Sequence, residues 1–264
     1  MVWQFRNTGC RTGTFNMEYD EKLAQSLVSS EGPSIVRFYG WKPPAISLGW
    51  HQDAGEIDTE KCAGAGIDVV RRPTGGRAIL HSDEVTYSVV MIASQKSVLS
   101  VYQQISDALV CGLRSLGADV ALEKSQPHFP SLYRSSSSVA CFASAARYEI
   151  HIAGRKLVGS AQRRYARSNG EEVVLQHGSI LLGPDHLRMV DFLKSLREDQ
   201  RERLKSELRA KTIDLASALG KRVEYDDVVP ALKKGFEEAW HIKFDTMPPE
   251  GVPKADSVSL AAGS

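Results

Sequence analysis

The run Arg71-Arg72-Pro73-Thr74-Gly75-Gly76-Arg77-Ala78-Ile79-Leu80-His81 decides the fold class. Ile67 to Arg72 reads as a buried strand, and Pro73-Thr74-Gly75-Gly76 forces a tight turn. Arg77 to Leu80 and Val85 to Ile92 read as further strands. Strands therefore follow one another here with no helix between them, whereas a repeating strand–helix–strand sheet needs a helical crossover at each step.

Further strands are predicted on both sides of this run: Trp3 to Arg6, Ser34 to Tyr39, Ala45 to Leu48, Asp119 to Leu122, Tyr148 to Ile152, Lys156 to Val158, Val173 to His177 and Ser179 to Leu182. Ala153-Gly154 makes the turn of a hairpin. Helices interrupt the strands irregularly. Phe15, Tyr19, Leu23 and Leu27 recur every four residues. Thr59 is placed to cap a short helix ending near Gly66. Leu99, Tyr102, Ile105, Leu109 and Leu113 form one face of a helix over Ser97 to Leu116, and the chain is mostly helical after Asp185. Lys124 to Val139 reads as a long polar loop, and the tail after Pro248 as frayed. The expected fold is α+β, with a mixed, largely antiparallel sheet and flanking helices. One catalytic domain spans 1–220, and a helical C-terminal extension over 221–264 belongs to the same unit.

The chain has 264 residues, 42% of them hydrophobic, with 33 Lys+Arg against 32 Asp+Glu. Those proportions suit a globular protein, and the net charge of +1 gives no sign of a dedicated nucleic-acid binder. No apolar run approaches the roughly 20 residues that span a bilayer, and the N-terminus lacks a signal-peptide pattern. A cytoplasmic protein is expected. Cys10, Cys62, Cys111 and Cys141 are scattered, and the seven His are dispersed, so no metal site is expected. Gly64-Ala65-Gly66 is an incomplete dinucleotide fingerprint whose expected role is ending a helix. The charged run Arg197 to Lys211 reads as a solvated helix face.

Three segments carry chemistry. Paired glycines at Gly75-Gly76 let backbone N–H groups approach a ligand, and Arg72 and Arg77 beside them suit an anionic or carbonyl oxygen. An ordinary hairpin turn with exposed arginines reads equally well. Gly154-Arg155-Lys156-Leu157-Val158-Gly159-Ser160-Ala161-Gln162 sets one lysine before a run of small residues, which leaves room for substrate; an exposed strand lysine is the other reading. Cys141, fifteen residues before Lys156, becomes nucleophilic if a cation lowers its thiol pKa; otherwise it is a buried apolar cysteine.

Taken together with Gln176-His177-Gly178-Ser179-Ile180-Leu181-Leu182, Phe38-Tyr39-Gly40-Trp41 and Ser47-Leu48-Gly49, these motifs resemble the lipoate ligase, biotin ligase and octanoyltransferase superfamily, and within it the LipM group. The resemblance runs from about Trp3 to Leu182. It implies transfer of octanoyl from octanoyl-acyl carrier protein to a lysine of a lipoyl domain, such as the glycine cleavage H protein, the first step of endogenous lipoate biosynthesis and protein lipoylation. It implies Cys141 as the nucleophile that carries the thioester, Lys156 as the cation beside it, and no cofactor. Arg72, Gly75, Gly76, Arg77, His81, Gly159, Ser160 and Ala161 are the expected substrate-binding residues, with no nucleic acid or membrane partner and a monomeric state. Val70, Ala78, Val158 and Ala161 are candidates for the apolar slot. His81 divides between a place near the acyl pocket and a structural role, and a structural role is expected for His177. Arg163, Arg164 and Arg167 form a basic cluster for acidic partner proteins, or a solvated loop. An ATP-dependent lipoate–protein ligase is the first alternative; Arg77 stands where such ligases carry a third glycine. An amidotransferase between lipoyl domains is the second, and a non-catalytic acyl-binding protein the third.

Overall fold

The computed structural model describes residues 2–93, 95–123 and 149–245. The Lys124 to Val139 loop, Cys141, Tyr148 at the start of the strand expected over Tyr148 to Ile152, and the tail after Pro248 lie outside the described residues.

Strand β1 (Trp3–Arg11) leads into helix α1 (Gly13–Ser29), whose first turn is capped by the Thr12 hydroxyl accepting from the Phe15 N–H. The helix ends before Gly32-Pro33, and β2 (Ser34–Trp41) returns beside β1 in parallel. After a Pro-rich turn come β3 (Ala45–Leu48), α2 (Thr59–Gly64), β4 (Asp68–Arg71), β5 (Ile79–His81) and β6 (Glu84–Ile92). Helix α3 (Val98–Ser115) and the short β7 (Ala121–Leu122) follow. The hairpin of β8 (Ile150–Ile152) and β9 (Arg155–Ala166) turns at Ala153 and Gly154, both with positive φ, and β10 (Glu172–Leu181) pairs back onto β9. A 3-10 helix (Pro184–Phe192), α4 (Glu198–Lys211), α5 (Leu215–Leu219) and α6 (Tyr225–Trp240) complete the described chain.

The strands form two sheets. The large one runs β1-β2-β6-β10-β9-β8-β7, and the small one β4-β3-β5. Apart from the parallel β1–β2 and β3–β4 pairs, the pairings are antiparallel, as expected for the α+β class. α1 covers one face of the large sheet through Leu23, Ala24 and Leu27 against Ile35, Val90, Val173 and Leu175. The other face carries the main core, in which Val36, Phe38, Tyr87 and Val89 pack with Ile105 and Leu109 of α3 and Leu232 and Phe236 of α6. α3 and α6 approach closely because Gly112 and Gly235 face each other; a Cβ on Gly235 would overlap the Gly112 backbone nitrogen.

Several sequence expectations are corrected. Asp58, not Thr59, caps α2, because its carboxylate reaches the Lys61 N–H. β4 is a half-buried edge strand, since the small sheet ends there. Leu99 is exposed at the start of α3; the buried face runs through Val101, Ile105 and Leu109. The two strands expected around Gly178 are one continuous β10. In the charged α4 only Leu204 and Leu208 are buried, consistent with a solvated face.

Gly235→Ala is expected to cost about 1–3 kcal/mol by overpacking, lowering the thermal midpoint by several degrees in calorimetry. A variant melting with the wild type would contradict the close α3–α6 contact.

Candidate active site

Between the two sheets lies a cavity lined by residues of both. Met17 of α1 closes one side, Tyr39 and Trp41 of β2 another. The small sheet contributes Ser47, Ile79 and His81, with Arg72 just beyond β4. The large sheet contributes Thr86, residues 159–161 and residues 177–179.

The floor is a buried polar network. Arg37 and Asp20 are both fully buried and pair at 2.6 Å. Asp20 also accepts from the Tyr39 hydroxyl at 2.9 Å and the Ser88 hydroxyl at 2.8 Å. The Arg37 guanidinium donates to Asn16 Oδ1 and Thr8 Oγ1 and lies 3.8 Å from the Tyr39 ring centre. Burial by itself would raise the Asp20 pKa, but Arg37 and His177 outweigh it and hold it at about 2. His177 Nε2 meets the Thr74 hydroxyl at 2.6 Å, and its Nδ1 lies 3.4 Å from Asp20. Burial pulls its imidazole below the ordinary value, against the pull of Asp20. A neutral His177 therefore ties the Pro73-Thr74 turn to the Asp20 hub.

A second set surrounds His81. Its Nδ1 lies 2.9 Å from Glu84 Oε1, its Nε2 lies 2.7 Å from the Ser47 hydroxyl, and Trp41 stacks on its ring at 4.0 Å. Glu84 Oε1 also accepts from the Ser179 and Thr86 hydroxyls. Most of these polar atoms pair with one another, the buried Glu84 Oε2 excepted, and rings and methyl-bearing side chains are left to face the cavity.

The arginines of the 71–77 run have structural tasks. Arg72 is buried and donates to the Gly75, Arg77 and Ser47 carbonyls, all between 2.7 and 3.1 Å. Arg71 donates to the carbonyls of Gly49, Trp50 and Gln52. Gly49 has no space for a side chain, because a Cβ would overlap the Gly76 carbonyl, and Gly76 itself has φ +95°. The paired glycines and arginines therefore lock two loops together at the cavity's edge. Arg72 borders the cavity; Gly75, Gly76 and Arg77 form the turn next to it.

Of the expected binding residues, Arg72, His81, Gly159, Ser160 and Ala161 come together around the cavity. Of the four residues considered for the apolar slot, Ala161 lines it. Val70 instead packs beneath α1 against Gly13, and Ala78 and Val158 lie in the main core. His177, expected to be structural, both lines the cavity and holds the network. Lys156 is buried and pairs with Glu149 at 2.7 Å. The pair lies close enough to Tyr87 that Glu149 adds to the rise of its hydroxyl pKa, which burial mainly pushes up to about 12. Tyr87 in turn bonds Ser160 at the cavity wall. The basic cluster is committed within the chain: Arg163 to the Pro73 carbonyl and the Trp50 face, Arg164 to Glu172, Arg167 to Glu31 and Glu171. Among the described residues no cluster of His, Cys, Asp or Glu has metal-ligand geometry, and no helix is long and apolar enough to cross a membrane.

Sequence reading missed Asp20, Arg37 and Glu84 as members of the site. The available signal was weak: Arg37 within the otherwise apolar run Ile35 to Tyr39, Glu84 directly before the uncharged run Val85 to Val90, and an acid on the buried side of α1.

Asp20 binds its proton more weakly folded than unfolded. Its contribution, about 2 kcal/mol at 1.36 kcal/mol per pKa unit, is present above pH 4 and is lost as pH falls towards 2. Asp20→Asn is expected to flatten thermal stability against pH in that window and to cost about 3–5 kcal/mol at pH 7 by stranding Arg37. An Asn variant with the wild-type melting profile would contradict the hub.

Comparison with known proteins places this geometry. The lipoyl protein ligase A/B catalytic domain family matches residues 12–237. An octanoyltransferase LipM from Kyrpidia tusciae is 40% identical, with 90% of this chain and 87% of that protein covered. The Bacillus subtilis octanoyltransferase LipM is 36% identical, over 92% and 88%. A bipartite lipoate protein ligase from Thermoplasma acidophilum shares the fold with TM-score 0.74 at 24% identity, covering 93% of this chain and 86% of that one. A lipoate-protein ligase A bound with ATP does so with TM-score 0.70 at 23% identity, over 93% and 88%. The chain belongs to the lipoyl protein ligase A/B catalytic domain family, and within it to the LipM octanoyltransferase group.

Proposed function

We propose that this acyltransferase takes octanoyl from octanoyl-acyl carrier protein and passes it to a lysine of a lipoyl domain, such as the glycine cleavage H protein, through a thioester on Cys141. The observation that carries the reading is the cavity between the sheets. Most of the polar groups around it pair with one another, which suits a hydrocarbon chain rather than a polar ligand. The likeness to LipM octanoyltransferases over about nine-tenths of the chain supports the group transferred.

The chemistry runs in two balanced steps. The Cys141 thiolate attacks the acyl carbonyl of the carrier thioester, the new thioester forms, and the carrier thiolate leaves with the proton that Cys141 gave up. The neutral amine of the acceptor lysine then attacks the enzyme thioester, an amide forms, and the cysteine leaves as thiolate while the nitrogen loses a proton. Exchange between thioesters is nearly balanced, and amide formation draws the sequence forward. Lys156, a buried cation paired with Glu149, supplies positive charge for the thiolate and for the oxygen that becomes negative in each addition. His81 and His177 shape the wall rather than react, since each has both ring nitrogens within reach of protein partners.

Intact mass after mixing with octanoyl-acyl carrier protein, without ATP or acceptor, tests the reading. The wild type should gain one octanoyl group, which hydroxylamine removes. Cys141→Ala should gain none, and Lys156→Ala should acylate at least 100-fold more slowly, a loss of about 2.7 kcal/mol in transition-state stabilisation. No gain in the wild type, with pyrophosphate released when ATP and lipoate are supplied, would assign the chain the ligase reaction instead.

A further inference from the structure

We propose that Glu149 is a positioning residue for acyl transfer, its carboxylate fixing the Lys156 ammonium in place. The inference rests on the octanoyl-transfer reading and deepens it.

The pair is short and dry. Lys156 Nζ lies 2.7 Å from Glu149 Oε1, with side chains 4% and 3% exposed. A lysine buried without a counter-ion tends to lose its proton, because burial penalises the charged form. A carboxylate in contact reverses that tendency and also gives the ammonium one place to sit. Both ends of the pair are anchored by backbone. The Glu149 carbonyl accepts from the Glu123 N–H at 2.8 Å as the chain enters β8. Lys156 pairs with His151 across the hairpin, and its carbonyl accepts from the Ile213 N–H at 3.0 Å.

Several titratable groups pack around the pair. From β8, His151 is buried with neither ring nitrogen hydrogen-bonded, and burial pulls its imidazole below the ordinary value. Glu123, following β7, lies 3.8 Å from His151. From β6, Tyr87 keeps its proton through the working range. The segment after α4 brings Thr212 and Ile213, which do not titrate.

The consequence bears directly on the reaction. Adding a nucleophile to a thioester carbonyl places negative charge on its oxygen, and an ammonium stabilises that charge where a neutral amine does not. Removing the Glu149 charge is therefore expected to change the pH dependence of the reaction.

The test measures the rate of octanoyl gain from octanoyl-acyl carrier protein between pH 6 and 10. Glu149→Gln should move the alkaline fall in rate to lower pH by about one unit or more, which is about tenfold in rate on that limb. kcat should fall while KM for the carrier changes little. Glu149→Asp, whose shorter arm lengthens the pair, should give a smaller shift in the same direction, and carries the test if Glu149→Gln melts below the assay temperature. A Glu149→Gln profile that overlays the wild type, or that drops equally at every pH, would overturn the inference. A wild type that takes up no octanoyl at any pH would overturn the octanoyl-transfer reading itself.

Discussion

A guanidinium with no access to solvent sits beneath the cavity, and its contact with Asp20 is what the surrounding structure depends on. Taking both charges out of water is costly, and the cost is offset only because each remaining polar atom of the pair finds a partner. Arg37 reaches Asn16 and Thr8 from one side; Asp20 receives Tyr39, Ser88 and His177 from the other. Helix α1, strands β1, β2, β6 and β10, and the Thr74 turn are thereby drawn to one point. Partial satisfaction would be worse than an apolar floor, so the network fixes where α1 lies across the sheet and hence where Met17 closes the cavity.

The same logic explains how a cavity rich in polar residue types presents an apolar surface. Ser47, His81, Glu84, Thr86 and Ser179 bond to one another, and Trp41 stacks flat on His81. Arg72 is used up on carbonyls. The groups left facing inward are rings, methyls and glycine backbone. Lys156 lies at the hairpin end of β9, three residues before Gly159 of the cavity wall.

Much of the architecture was legible because it rests on local signals. The glycine turns at Gly75-Gly76 and Gly154, the spacing of α1, and the unbroken run of strands around residue 80 all act over a few residues. The Gly75-Gly76 pair was legible as a turn but not as a lock, because its partner Gly49 is 27 residues away in sequence. The Asp20 hub was hidden for the same reason. Asp20 on a helix looks like any surface acid until the fold brings Arg37 and His177 against it. Val70, Ala78 and Val158 have the right chemistry for an acyl slot, but strand periodicity alone does not say which face meets the cavity. Arg163, Arg164 and Arg167 read equally as a basic cluster or a solvated loop, because contacts such as Arg163 with the Pro73 carbonyl and Arg167 with Glu31 form only when distant segments fold together.

The central claim is that the space between the two sheets receives the acyl chain. The most direct measurement is a crystal structure of the protein after reaction with octanoyl-acyl carrier protein. The account predicts an eight-carbon chain lying against Met17, Tyr39, Trp41 and Ile79, with the His81–Glu84 and His177–Thr74 contacts unbroken. An acyl chain bound elsewhere, with the cavity unchanged, would contradict it.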